Sequence, residues 1–275
     1  MPACVCGKKT GNDDMIDQRA ISWRFIKVWK RNLVTFQRVW KVNFITPLLE
    51  PLLFIAAFGL GFVGIVGSIR YGGAELSYTA FIAPALIATA VMNNAFFETT
   101  YASFVRMYYQ KTFDGMLATP LSIEEIIIAE IVWSATKAAV AAGIMLGVLG
   151  AFGYVQFPYG LLVIPLAFLG GIAFGAVGLF FTGIIPTIEM FNLPIFLFVT
   201  PMFLFSGTFF PVSNLPVWAK PFALAFPLYH LVELARLLCL GLHETVPLLS
   251  VIYLLVFSAL FTFLALVFMR RRLIK

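Results

Sequence analysis

The 275-residue chain is 61% hydrophobic and only 12% charged, with 30 phenylalanines and a formal charge of +6; its mean hydropathy is +0.96. A soluble domain of this size carries about a quarter charged residues, so a soluble globular enzyme is excluded. The positive charge lies beside apolar runs, which points to anchoring on anionic lipid and against nucleic-acid binding.

The first 42 residues are polar and basic. With no apolar h-region among them, no cleavable signal peptide is expected, and the first span serves as the insertion signal. Residues 1–16 read as a tail whose Cys4 and Cys6 lack further ligands for a metal site and so read as free thiols. Over 17–43, Ile21, Phe25, Val28, Trp29, Phe36, Val39 and Trp40 recur near a 3.6-residue period, with Arg24, Lys27, Lys30, Arg31, Arg38 and Lys41 filling much of the rest. That pattern predicts an amphipathic helix in the membrane interface, its Trp and Phe in the acyl boundary.

Long uncharged stretches follow. Glu50 and Arg70 enclose 19 uncharged residues, Glu75 and Glu98 enclose 22, Lys137 and Glu189 enclose 51, Glu189 and Lys220 enclose 30, and Glu244 and Arg270 enclose 25. The longest must be divided at 153–160, where Gly153, Tyr154, Gln156, Pro158, Tyr159 and Gly160 interrupt the apolar run. A span needs about 20 apolar residues, and backbone groups in hydrocarbon must bond within their own segment. The expected fold is therefore an all-α polytopic bundle of six helices at about 45–67, 77–99, 126–150, 161–184, 191–211 and 246–268. Fifteen Lys and Arg flank one side of this arrangement, against Arg70, Lys220 and Arg236 on the other; both termini are expected to be cytoplasmic.

Between spans two and three, the segment 100–125 places aromatic and Met residues among charges before Pro120. It reads as a short surface helix whose exposed Phe-Met-Leu face would suit a protein groove. Ser122 is expected to cap the next helix, with Glu124 and Glu125 in its first turn. On the other side, Pro211, Pro216, Pro221 and Pro227 cut 206–245 into pieces that would dip into the outer leaflet. Its last piece carries Leu228, Leu231, Val232, Ala235, Leu238 and Cys239 on one face and stops at Gly241.

Polar residues inside spans are functional candidates by default. Asn94 and Glu98 end span two, while Glu130 and Lys137 lie in span three. They read either as lining a transport path or as tying helices together, and the seven-residue spacing of Glu130 and Lys137 argues against a direct ion pair between those two. His230 and Glu233 stand one turn apart, a spacing open to acid–base or metal chemistry but also met where both side chains face water and headgroups. No Walker A, G-x-S-x-G or H-E-x-x-H pattern occurs, so no catalytic residue or metal is assigned.

Phe81–Ala88, Phe97-Glu98, Gln110–Pro120, Leu204–Pro211 and Pro227–His230 together resemble the membrane subunit of type-2 (ABC-2) ATP-binding-cassette exporters, most of all the nodulation protein J group of lipo-oligosaccharide permeases. The likeness covers about residues 20–272. It implies that 17–43 is a connecting helix and that 104–118 is a coupling helix fitting a cleft in an ATPase, through Gln110, Lys111, Phe113, Asp114, Met116, Leu117 and Pro120. It implies likewise that 213–241, with Gly207, Phe210, Pro211, Pro216, Pro227 and His230 marking the segment, forms re-entrant helices closing the outer mouth. Such subunits work in the inner membrane as a homodimer with two ATPase chains, which bind the ATP and Mg; no cofactor is expected on this chain. The cargo implied is an amphiphile of the lipo-oligosaccharide, glycolipid or polysaccharide type, with hydrophobic-drug efflux as the alternative. An ATP-independent carrier, expected to show paired interrupted spans, and an intramembrane enzyme using His230 and Glu233 are the competing classes.

Overall fold

The computed structural model describes residues 23–61, 68–71, 74–241 and 247–274. Cys4, Cys6, Ile21, the end of the first expected span (62–67) and His243 lie outside them. Helix α1 (Phe25–Arg38) is followed by α2 (Trp40–Gly61) at a bend of 70°. The expectation of one helix across 17–43 is thus corrected: β-branched Val39 leaves helical geometry (φ −117°) and its N–H turns back to Phe36 O. Trp40 and Lys41 belong to the second helix.

A two-stranded antiparallel hairpin, β1 (Ser68–Tyr71) with β2 (Ala74–Ser77), sets Ile69 opposite Leu76, an element the sequence reading does not contain. Ser77 then caps α3 (Tyr78–Phe97), accepting from Ala80 N at 3.3 Å. The helix continues through two wider π-helical turns, Glu98–Ala102 and Val105–Tyr109. At Lys111 the backbone enters the left-handed region (φ 47°), a break before the short α4 (Thr112–Leu117). The expected 104–118 helix is therefore really the end of a 32-residue span plus a six-residue helix.

Ser122 caps α5 (Ile123–Ala151) as expected, with Glu125 completing a capping box: Ser122 Oγ accepts from Glu125 N at 3.2 Å, and Glu125 Oε2 accepts from Ser122 N at 3.0 Å. The chain breaks at 152–158, as the Gly and Pro residues require, and α6 (Val163–Ile184) returns. Gly171 is needed here, because a Cβ on it would lie 2.6 Å from the Ala135 Cα of α5; small residues let membrane helices approach this closely. The next pass, Ile188–Phe205, contains α7 (Asn192–Pro194), a π turn, and α8 (Thr200–Phe205), and ends before the expected 211 because Gly207 takes a left-handed conformation (φ 73°). Two helices, α9 (Lys220–Ala225) and α10 (Pro227–Leu240), precede the final α11 (Leu248–Leu273).

Among the described residues, five helices are long and apolar enough to cross a bilayer, and α1 with α2 supplies a sixth if that bent pair is one span. A core of α3, α5, α6 and α10 side chains, including Phe81, Phe96 and Phe174, is almost fully buried. The first and last described helices both fasten to the segment around Pro120–Glu124 or to the end of α6. Arg24 donates to Pro120 O at 2.8 Å, Arg270 lies 3.6 Å from Glu124, and Arg272 closes the end of α6 through Thr182 O and Ile185 O.

Candidate functional site

The densest polar chemistry among the described residues lies at that end, where α1 and the π-helical end of α3 meet α5. Arg106 reaches back along its own helix to Glu98 (2.9 Å) and across to Glu130 of α5. Lys137 Nζ meets the other oxygen of Glu98 at 2.9 Å, and Trp133 Nε1 donates to the first at 3.1 Å. Glu130, fully buried, also accepts from Ser103 Oγ at 2.7 Å and from Asn32 Nδ2 of α1 at 3.0 Å. Buried carboxylates persist only when matched by cations and hydrogen bonds, and each is matched here. Lys137 of α5 thus pairs with Glu98 at the end of α3, while Glu130 pairs with Arg106.

Three members of this network escape a reading by composition. Arg106 counts from sequence as a loop cation, yet its eight-residue distance from Glu98 is about two helical turns. Asn32 stands on the basic α1 with nothing beside it to mark it. Arg31 follows, its guanidinium 3.9 Å from Glu130 and its Nη1 3.3 Å from the Met116 sulfur. Consequently the inner face of α1 meets protein, where lipid is expected from sequence: Trp29 donates to Thr136 Oγ1 at 3.1 Å, and Trp29 and Phe36 both lie edge-on to Trp133. Val34, Trp23 and Trp40 stay exposed.

The α4 residues split into two faces. Phe113 and Met116 are buried against Val28, Phe104, Met107 and Ile126, which corrects the expectation of an exposed Phe-Met-Leu face; Leu117 is half-buried. The free face carries Lys111, Asp114, Gly115 and Ala118, with Tyr108, Tyr109, Gln110 and Pro120 exposed around it. Burying one Phe contributes about 1.5–3 kcal/mol, so α4 is a helix pinned by its apolar side with its polar side outward.

At the opposite end, the segment after Phe205 is fastened by Arg236 of α10. Counted from sequence among the outer basic residues, Arg236 is 1% exposed. Its Nη2 donates to Gly207 O at 2.6 Å and Thr208 O at 3.2 Å, its Nε donates to Phe81 O at 3.2 Å, and its guanidinium lies 3.7 Å from the Phe81 ring centroid. Burial holds its pKa down at about 10. Tyr71 of the hairpin donates to Glu233; burial, followed by that carboxylate, pushes the phenol pKa up. His230 turns elsewhere, its Nε2 2.9 Å from Leu224 O and its Nδ1 2.9 Å from Ser250 Oγ, stacked on Tyr253. The paired His230 and Glu233 thus diverge, and no group of three metal-ligating side chains exists among the described residues. Pro211 and Pro227 are buried and Phe210 and Pro216 exposed, while α10 stops at a left-handed Gly241 as expected.

Two spaces open beside the ion network. One of about 300 Å³ is lined by Arg31, Phe36, Glu98, Arg106, Trp133 and Lys137 among others. A wider one of about 650 Å³ adds Glu50 of α2 with Asn93, Asn94, Phe97 and Tyr101 of α3. Asn94 donates to Ala90 O at 2.9 Å and stands apart from the ion pairs.

Apolar helices of this length with charge networks held between them define a multi-pass membrane protein. Residues 24–240 match the ABC-2 type transporter family, and the chain belongs to it as a transport permease. It is 36% identical to nodulation protein J of Rhizobium leguminosarum bv. trifolii over 255 residues, 92% of this chain and 95% of that one. It is 35% identical to nodulation protein J of Rhizobium meliloti over 81% of this chain and 83% of that protein. Against the inner membrane transport permease YadH of Escherichia coli, identity is 25% over 83% and 87% of the two chains.

Proposed function

We propose that this chain is the membrane subunit of an ATP-driven exporter, carrying an amphiphile of the lipo-oligosaccharide, glycolipid or polysaccharide type across the bacterial inner membrane. Two copies pair with two copies of a separate ATPase chain that binds ATP and Mg. The end bearing α1, α4 and the C-terminus faces the cytoplasm, in keeping with the Lys and Arg gathered there.

One observation carries the reading: α4 is bolted to α1 and α5 through Phe113, Met116 and Arg31 while its polar face stays free. A movement imposed on that face passes to α1 and α5 at once, as a mechanical link between a nucleotide site and a transport path requires. At the other end, α9 and α10, tied to Gly207 and Thr208 by Arg236, form the outer closure. The divergence of His230 and Glu233 disfavours catalysis there.

The test is purification of the tagged chain from native membranes in mild detergent, followed by ATPase assay and export measured in inverted vesicles. A stoichiometric ATPase partner and ATP-dependent uptake of glycolipid support the proposal, and uptake of hydrophobic drugs alone would redirect the cargo. Recovery of the chain without an ATPase in several detergents overturns it.

A further inference from the structure

We propose that the cleft bounded by α1, α2, α3 and α5 binds the anionic oxygens of an amphiphile, a phosphate or sulfate group, through Arg31, Arg106 and Lys137. This deepens the permease reading and rests on it for the route by which such a molecule would travel.

The charge count carries the argument. Three cations, Arg31, Arg106 and Lys137, line the 300 Å³ space, and the network offers them two carboxylates, Glu98 and Glu130. Glu130 lies behind the wall, and both oxygens of Glu98 already accept, from Arg106, Trp133 and Lys137. Around this inner space the cations therefore outnumber the carboxylates by one, with Glu50 standing across the wider space.

A second observation is independent of the charges. Arg106 Nε is buried and has no hydrogen-bond partner, although Arg106 lines both spaces. A buried donor without an acceptor is an exception that calls for an explanation. A small turn of the guanidinium would bring this unspent donor to an anion oxygen in the space, while Lys137, which donates to Glu98, has further ammonium protons to give. The side chains of Thr35 and Gln110 edge the same space.

The surroundings suit an amphiphile more than a free ion. Glu50, across the wider space, would repel an anion and keep it at the inner end, leaving Asn93 and Asn94 for uncharged polar groups. Phe97, Val39, Leu49 and Leu53 are exposed on the helices that bound the cleft, an apolar exit for acyl chains.

The experiment is native mass spectrometry of the purified chain in neutral detergent, titrated with dioleoyl phosphatidic acid and, in parallel, with dioleoylglycerol, which has the same acyl chains without the phosphate. Because Arg106 holds Glu98 and Glu130 and its loss can unfold the protein, the variants are Lys137→Gln, which removes one donor, and Thr35→Trp, which fills the space; monodisperse elution and an unchanged circular dichroism spectrum establish folding. Saturable binding of phosphatidic acid alone, weakened by about tenfold in Lys137→Gln and abolished in Thr35→Trp, supports the proposal. Displacement by inorganic phosphate would locate recognition in the phosphate itself, and resistance to displacement would show that the acyl chains are required. Equal binding of both lipids, or wild-type affinity in both variants, overturns it. No ATPase takes part, so failure here leaves the permease reading standing, and failure to recover an ATPase leaves this result readable.

Discussion

Asn32 donates its side-chain amide to Glu130 at 3.0 Å, which keys the amphipathic α1 to the N-terminal third of α5 through a buried contact. A hydrogen bond to a charged group contributes about 1.5–3 kcal/mol. Asn32→Leu should lower the thermal unfolding midpoint of the detergent-solubilised chain clearly, while Gln37→Leu on the exposed side of α1 should not. Equal midpoints for the two variants would mean that α1 is held by its apolar contacts alone.

The two carboxylates that face Arg106 make its loss worse than the loss of either acid. Arg106→Leu takes the shared guanidinium from both buried carboxylates, leaving Glu98 with Lys137 and Glu130 with Arg31 3.9 Å away, and breaking a buried pair costs about 3–5 kcal/mol. Glu98→Gln leaves Arg106 with Glu130, and Glu130→Gln leaves it with Glu98. The expected order of folded yield by fluorescence size-exclusion is wild type, then either Gln variant, then Arg106→Leu; a Gln variant below Arg106→Leu would contradict this division of labour.

On α4 the buried and free faces should separate folding from coupling. Phe113→Ala, at a fully buried position, should destabilise by about 3–5 kcal/mol. Asp114→Arg, on the free face, should keep the melting temperature and abolish substrate-stimulated ATP hydrolysis in the reconstituted complex. Normal stimulation in Asp114→Arg would remove α4 from the coupling role. Substitution of Met116 cannot serve this purpose, since its sulfur is already engaged by Arg31.

The outer segment should respond to acid through His230. Its Nε2 faces a carbonyl and so donates, which leaves Nδ1 of the neutral ring to accept from Ser250. Burial lowers its pKa below the ordinary 6.5, only partly opposed by the Leu224 carbonyl. Between the folded value and 6.5 the unfolded form binds more protons, so this contribution is present above pH 6.5 and is lost as pH falls through that window. The hydrogen-exchange rate of α9 and α10, set against that of α5, should rise with acidification from pH 7 in wild type and stay flat in His230→Gln. A parallel rise in both would assign the effect to other groups.

Much of the fold is legible in sequence because the rules involved are local. The break at 153–160, the Ser122 cap and the stop at Gly241 each rest on a few neighbouring residues whose chemistry permits little else. The ion network is legible only in half. Glu98, Glu130 and Lys137 stand out because charge inside an apolar run is costly, whereas Arg106 lies beyond the uncharged run that Glu98 closes. Thr99, Thr100 and Ser103 are buried, so the helix carries a polar face through to Tyr109, and hydropathy alone reads that face as a loop. The inward turn of Phe113 and Met116 was hidden for a related reason: an apolar face on a surface helix looks the same whether it awaits a partner or is already covered.

The wider turns at Glu98–Ala102 and Val105–Tyr109 set the phase of everything beyond them. Each accommodates one residue more than a regular turn, and one residue is about 100° of rotation about the helix axis. Deleting a single residue from 99–102 would therefore do more than shorten the helix: it would swing Arg106 round the axis away from Glu98 and point α4 in a different direction. In this permease the direction of the link at the end of α3 is encoded by the number of residues in two turns.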